Sequence, residues 1–166
     1  MVDKAEARHA ISALIYGYAD ALDTGDLDGV AGYFEHCVIR VHDTGDTFEG
    51  TAGVREMFAR HTAYYDSEGL ADPESPQSHP HTKHVTTNLV IEVDDGGGSA
   101  RARSYFTVLQ ARPGFPLQIV IAGRYHDRFE CIDGEWRFSE RVEFCDLMGD
   151  LSHHLRENPL ERPDED

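Results

Sequence analysis

Apolar side chains at Ile11, Leu14, Ile15, Tyr18 and Leu22 recur at helical spacing and predict an amphipathic first helix from about Lys4 to Leu22. The segment Thr24, Gly25, Asp26 breaks it. Asp26 is placed to cap a second helix whose inner face carries Leu27, Val30, Ala31 and Phe34. A strand is predicted over residues 37–42, ending in the turn-like run 43–46. Thr51 then caps a third helix that turns Val54, Met57, Phe58, His61 and Tyr65 inward. Residues 66–80 hold three prolines and little apolar content, so they read as a long loop suited to a lid or an interface. Four β-rich runs follow, at 81–93, 100–111, 117–131 and 135–145. Short turn-forming segments separate them, which describes an antiparallel meander.

Helices followed by long antiparallel strands define an α+β fold. Three N-terminal helices are expected to pack on a curved, mainly antiparallel sheet, a cone-shaped α+β barrel enclosing a pocket. One domain is expected over residues 1–155, with an acidic, mobile tail at 156–166. Ile119, Ile121 and Phe129 cannot all share the pocket with the other strands' inner faces. They are therefore assigned to an apolar outer face, and a homo-oligomer, dimer or trimer, is expected.

Composition narrows the function classes. Acidic residues outnumber basic ones by 31 to 15, a formal charge of −16 in 166 residues. That field repels a phosphate backbone and anionic membranes, so no nucleic-acid or membrane partner is expected; a neutral or cationic small molecule is favoured. No run approaches the ~18 apolar residues of a membrane helix, and the N-terminus lacks a signal peptide's apolar stretch. A cytoplasmic protein is expected. Cys37, Cys131 and Cys145 are an odd, widely spaced set and read as free structural thiols.

Tyr18, Asp23 and His84 are the candidates for chemistry. Tyr18 lies on the apolar face of the first helix, so its hydroxyl needs a partner or a cavity. Asp23, at the negative end of that helix's dipole, calls for a compensating cation unless it simply begins the turn into the second helix. His84, Thr86 and Asn88 alternate with Val85, Thr87, Leu89, Ile91 and Val93. The polar stripe either lines a pocket or faces water. His79, His81 and His84 lack a familiar metal spacing, so no metal is expected, and His153–His154 reads as part of a short terminal helix without a role. In the last strand Trp136, Phe138, Val142 and Phe144 share one parity and Arg141 takes the other. Arg141 and Arg124 read as solvated or paired with a neighbour such as Glu143.

The segments YADALDTGDLDGVAGYF, HVTTNLVIEV and IAGRYHDRFECIDGEWRFSER, in this order, resemble the SnoaL-like (polyketide cyclase) group of the nuclear transport factor 2-like superfamily. The histidine opening the HVTTN strand, with an aspartate after the first helix, is more specific and resembles the scytalone dehydratase and hexachlorocyclohexane dehydrochlorinase branch. That resemblance implies His84 as base and Asp23 as its orienting carboxylate. Tyr18 and Arg141 would be the remaining catalytic candidates, stabilising oxyanion charge, and Asn88, Tyr125, Phe58 and Tyr105 the substrate-binding ones. It implies a lyase that needs no metal or organic cofactor and eliminates water or another small group from a hydrophobic cyclic substrate. Two alternatives stand beside it: an isomerase or cyclase using the same pocket, and a non-catalytic subunit resembling the small subunit of ring-hydroxylating dioxygenases. The chain departs from scytalone dehydratase in having Leu22 before the aspartate and Gly123 and Tyr125 at pocket positions, and residues 66–80 are an atypical insertion.

Overall fold

Asp3 caps the first helix, α1 (Lys4–Thr24), by accepting hydrogen bonds from the backbone N–H groups of Ala5 and Glu6 at 2.8 and 3.3 Å. The structure, a computed structural model, describes residues 3–75 and 77–157. The α1 face carrying Ala7, Ile11, Ile15, Tyr18 and Leu22 is buried, as its spacing predicts. Gly25, at φ 80°, ends the helix in the left-handed conformation, its N–H turned back to the last carbonyls. Asp26 caps α2 (Leu27–Tyr33) through the Gly29 N–H at 2.9 Å.

After α2 the chain forms β1 (Val38–Val41), β2 (Thr47–Glu49), α3 (Gly50–His61), β3 (Tyr64–Tyr65) and β4 (Leu70–Ala71). The long strands β5 (Thr82–Val93), β6 (Ser99–Arg112), β7 (Phe115–Ile132) and β8 (Glu135–Met148) complete the fold. Six strands make one curved sheet in the order β2-β1-β8-β7-β6-β5, antiparallel except for β1 beside β8, and the sheet does not close. No helix among the described residues is long and apolar enough to cross a membrane.

Several local expectations change. The cap of α3 is Glu49, without a side-chain bond, and Thr51 lies inside the first turn. The helix ends at His61 because Thr62 is extended (ψ 136°) and the Ala63 N–H donates to the His154 carbonyl. Tyr65 therefore belongs to β3, where its hydroxyl donates to the His153 carbonyl at 2.9 Å. The 66–80 segment is partly ordered by β4 pairing with β3. It is also held by Arg55, whose two terminal nitrogens each donate to Glu74 at 2.6 Å while Nε reaches Asp28 at 2.8 Å. His153 and His154 lie in a turn, not a helix. Arg156 is tied to the His61 and Ala71 carbonyls, and the tail assigned to 156–166 lies outside the described residues from 158 onward.

Three of the sheet's register shifts matter most for which side chains face inward, because an extra residue reverses the alternation of a strand. On β5, Thr87 pairs with Tyr105 and Val90 with Arg103, leaving Asn88 and Leu89 opposite Ser104 alone, with Asn88 at φ 52°. Asparagine tolerates that left-handed geometry better than most residues. Before the bulge Thr82 and His84 turn inward. After it Leu89, Ile91 and Val93 pack with α1. On β7, Val120 is the extra residue between the Val108–Ile121 and Leu109–Ile119 pairs. On β8, Ser139 is the extra residue between the Phe129–Phe138 and Arg128–Glu140 pairs.

These bulges correct two sequence assignments. Phe129 and Ile121 are buried, and of the three residues given to the outer face only Ile119 is exposed. On β8, Trp136 packs against the core and Phe138 is buried in it. Beyond Ser139 it is Arg141, Glu143 and Cys145 that turn inward, so the parity shared by Trp136, Phe138, Val142 and Phe144 does not survive as one face.

Candidate functional site

Between the helices and the concave side of the sheet lies a cavity with an empty volume of about 870 Å³ including its open mouth. Its wall is mostly apolar, with Leu22, Met57, Phe58, Phe106, Val108 and Ile121 contributing. The polar groups on it are few, as a small-molecule site requires.

His84 stands on this wall and meets Asp23 directly behind it. The Schellman-type end of α1 holds Asp23 against the start of β5, where its carboxylate takes three bonds. Oδ1 lies 2.6 Å from His84 Nδ1 and accepts from Thr82 Oγ1 at 2.8 Å, while Oδ2 accepts from the His84 backbone N–H at 2.8 Å. The two side chains are 5% and 6% exposed. Burial alone would raise the Asp23 pKa, but the His84 ring and backbone and the Thr82 hydroxyl outweigh it and hold the carboxyl below its ordinary range. Asp23 therefore compensates its place at the helix C-terminus with hydrogen bonds. Because Nδ1 is engaged, Nε2 is the ring nitrogen left to act.

Tyr18 and Tyr125 line the cavity and meet edge to face, with centroids 6.4 Å apart. Burial pushes the Tyr18 phenol up to about 12, although Arg141 opposes it, and burial holds Tyr125 well above its usual value. Both stay protonated and can donate. His61 and His154 also line the cavity, and desolvation lowers both, His154 to about 4, so neither carries charge near neutrality.

Arg141 stands behind this wall. Its Nε and Nη2 donate to Asp127 Oδ1 and Oδ2 at 2.8 and 2.9 Å, and both side chains are almost wholly buried. The guanidinium carbon lies 4.5 and 4.0 Å from the Tyr18 and Tyr125 ring centroids. Its partner is thus Asp127, not Glu143, and it reaches the cavity only through the two tyrosines. Arg124 pairs with Asp146 at 2.7 Å.

Of the sequence-derived candidates, the fold brings Tyr18, Phe58, His84 and Tyr125 to the cavity wall, with Asp23 behind His84 and Arg141 behind the two tyrosines. It does not bring in Asn88, which occupies the exposed bulge of β5, or Tyr105, which is 54% exposed on the outer face of β6. Their parity relative to the bulge and to Phe106 excludes both from the cavity. His79 and His81 stack on each other at 4.0 Å between centroids, whereas His84 turns to Asp23. At Gly123 an added Cβ would collide with the Phe144 carbonyl and the Phe106 ring, so no side chain can occupy that pocket position.

The sequence reading missed Glu143, Cys145, Thr82 and His154 as cavity residues. One signal was present: Arg141, Glu143 and Cys145 alternate on a single parity, an inward polar stripe if β8 is bulged. Burial raises the Glu143 carboxyl above its ordinary value, with the nearby Arg141 and His84 only partly opposing the shift.

A helix-backed open sheet enclosing a pocket, with His84 on its wall bonded to Asp23 behind, defines an α+β cone. The match to the SnoaL-like domain over residues 3–142 makes the assignment specific: the chain belongs to that family, within the nuclear transport factor 2-like superfamily. No curated protein matches the sequence. Among solved structures, the function-unknown protein Rv3472 from Mycobacterium tuberculosis is 26% identical with a TM-score of 0.65, covering 87% of this chain and 75% of that one. A candidate scytalone dehydratase from Novosphingobium aromaticivorans is 19% identical with a TM-score of 0.65, covering 89% of each chain. The β subunit of a candidate aromatic-ring-hydroxylating dioxygenase from the same organism is 20% identical with a TM-score of 0.64, covering 89% of this chain and 94% of that one. The last two likenesses concern the fold alone.

Proposed function

We propose that the protein is a cofactor-independent lyase that eliminates water or another small leaving group from a hydrophobic cyclic substrate, with His84 as base. The observation that carries this reading is His84 on the wall of an apolar cavity, bonded to the buried Asp23 behind it. Asp23 fixes the ring with Nδ1 protonated and stabilises the imidazolium as it forms. His84 Nε2 then takes a proton from the carbon beside a carbonyl. Tyr18 and Tyr125 donate to the oxygen on which negative charge develops. Arg141, held by Asp127, positions those two phenols without touching the substrate.

Substrate proton loss from hydroxy-carbonyl ring compounds, followed with wild type and His84→Ala, tests the reading. A fall of about 10²–10⁴-fold is expected. Equal rates would remove His84 from the chemistry.

An oligomer belongs to the same reading. Leu117, Ile119, Leu147 and Met148 expose apolar side chains at neighbouring ends of β7 and β8. Light scattering is expected to give a dimer or trimer mass that Ile119→Lys lowers, and a monomer in the wild type would contradict this.

A further inference from the structure

We propose that Glu143 is the general acid of this site, giving its proton to a leaving hydroxyl, so that the substrates are β-hydroxy carbonyl rings rather than halides. This rests on the lyase reading and extends it. Loss of water needs two proton movements. The carbon acid must lose a proton, and the departing oxygen must gain one, because hydroxide is a poor leaving group. His84 cannot supply both movements at once: Nδ1 is committed to Asp23, and Nε2 must arrive without a proton to act as base, so concerted loss of water calls for a separate donor.

The second proton needs a donor on the cavity wall, and Glu143 is placed to supply it. The Ser139 bulge turns its side chain inward from β8, facing the cavity that His84 enters from β5. Among the described residues no cation is bonded to the carboxyl. The inward arginine two residues before it is tied to Asp127 by two bonds, and the Glu143 side-chain contact found among the described residues is Cys145 Sγ, 4.0 Å from Oε1. A half-buried carboxyl on a mostly apolar wall, with no cation bonded to it, favours its neutral form, which is the form that donates.

The other protonated cavity groups suit the task less. Burial makes the Tyr18 and Tyr125 phenols and the Cys145 thiol weaker acids, and it leaves His61 and His154 without a proton to spare. Asp46 is exposed in the β1–β2 turn.

The step balances. Nε2 takes the proton beside the carbonyl, and that C–H pair becomes the new C=C bond. The C–O bond to the β-hydroxyl breaks with its electrons on oxygen, and the Glu143 proton completes a water molecule. Imidazolium and carboxylate remain, and one proton passed from His84 to Glu143 resets the site. The new charge on His84 lowers the proton affinity of Glu143, so abstraction itself promotes delivery. Groups facing Glu143 are Arg141 and Cys145 on β8, Tyr125 and Asp127 on β7, His84 on β5, Tyr18 on α1, and Asp43 after β1.

The test compares 3-hydroxycyclohexanone with 3-chlorocyclohexanone, each corrected for its spontaneous rate, because chloride departs without a proton. Glu143→Gln should lower water loss by about 10²–10⁴-fold. It should lower chloride loss by less than about tenfold, while His84→Ala lowers both alike. Infrared difference spectra of wild type and Glu143→Gln at neutral pH should also show a protonated-carboxyl band that the substitution removes, whether or not either ketone is turned over. Absence of that band, or equal loss of both reactions in Glu143→Gln, overturns the proposal. Unchanged rates in His84→Ala would instead overturn the lyase reading, leaving the protonation of Glu143 to the spectrum.

Discussion

Asp23→Asn is expected to fold and yet lose about 10²–10⁴-fold in turnover. The carboxylate accepts from three donors, the His84 backbone N–H at Oδ2 and both Thr82 Oγ1 and the His84 ring at Oδ1. An asparagine offers one acceptor oxygen and one amide nitrogen. If the nitrogen faced the His84 N–H, two donors would collide in a buried site. The better arrangement leaves the oxygen on the backbone N–H and turns the NH₂ toward the ring and the threonine hydroxyl, which can accept. That satisfies every group but forces His84 to accept at Nδ1, moving its proton to Nε2. The base would then have no lone pair toward the cavity.

The cost in stability is smaller, ~1.5–3 kcal/mol for the lost charge-assisted bonds. It also has a defined pH dependence. The folded-state pKa of Asp23 lies below the ordinary 3.8, so its contribution is complete above that value and is lost as pH falls through the folded one. Urea titrations of wild type and Asp23→Asn should therefore converge in acid. Nitrogen NMR of the His84 ring reads the tautomer directly. Turnover within tenfold of wild type, or an unchanged tautomer, would contradict the orienting role.

The largest loss of stability is expected at the Arg141–Asp127 pair, where Arg141→Ala should cost ~3–5 kcal/mol. Both side chains are at most 1% exposed, so Asp127 would be left as an uncompensated charge inside the sheet–helix core. The guanidinium also fills the space between the rings of Tyr18, Phe34, Tyr125 and Phe138, with its carbon 4.0 to 5.4 Å from their centroids. Arg141→Lys should recover only part of the loss, since an ammonium cannot make the two-pronged bond or stack on the rings. Replacing both residues, Arg141→Met with Asp127→Leu, should recover most of it because no charge is then stranded. Denaturant midpoints of wild type and these three variants check this. A cost under ~1 kcal/mol for Arg141→Ala would mean that the pair does not hold the wall in place.

The site was partly legible in the chain. Ile11, Ile15, Tyr18 and Leu22 set the inward face of α1, and that face delivers Tyr18 to the cavity and Asp23 to the helix end. Helical periodicity is local, so neighbouring residues suffice to read it. The same holds for the long strands and for the tight turn at Asp133 and Gly134, both at positive φ between β7 and β8. The Asp–His pairing came from the resemblance, because the strand pattern left the polar stripe of β5 equally suited to water.

The sequence by itself determined the helix faces, the order of helices before a strand meander, and the identities of Asp23 and His84. Tertiary structure alone decided which half of each strand faces the cavity. The extra residues at Asn88, Val120 and Ser139 reverse the side-chain alternation in mid-strand. A bulge forms where two strands of unequal count must share one curved ladder, and that depends on the partner strand as much as on the bulged one. So Thr82 and His84 face the cavity while Leu89 and Ile91 on the same strand face the core. Phe129 went inside, and Glu143, which the sequence offered only as a neighbour for Arg141, became a half-buried carboxyl on the cavity wall.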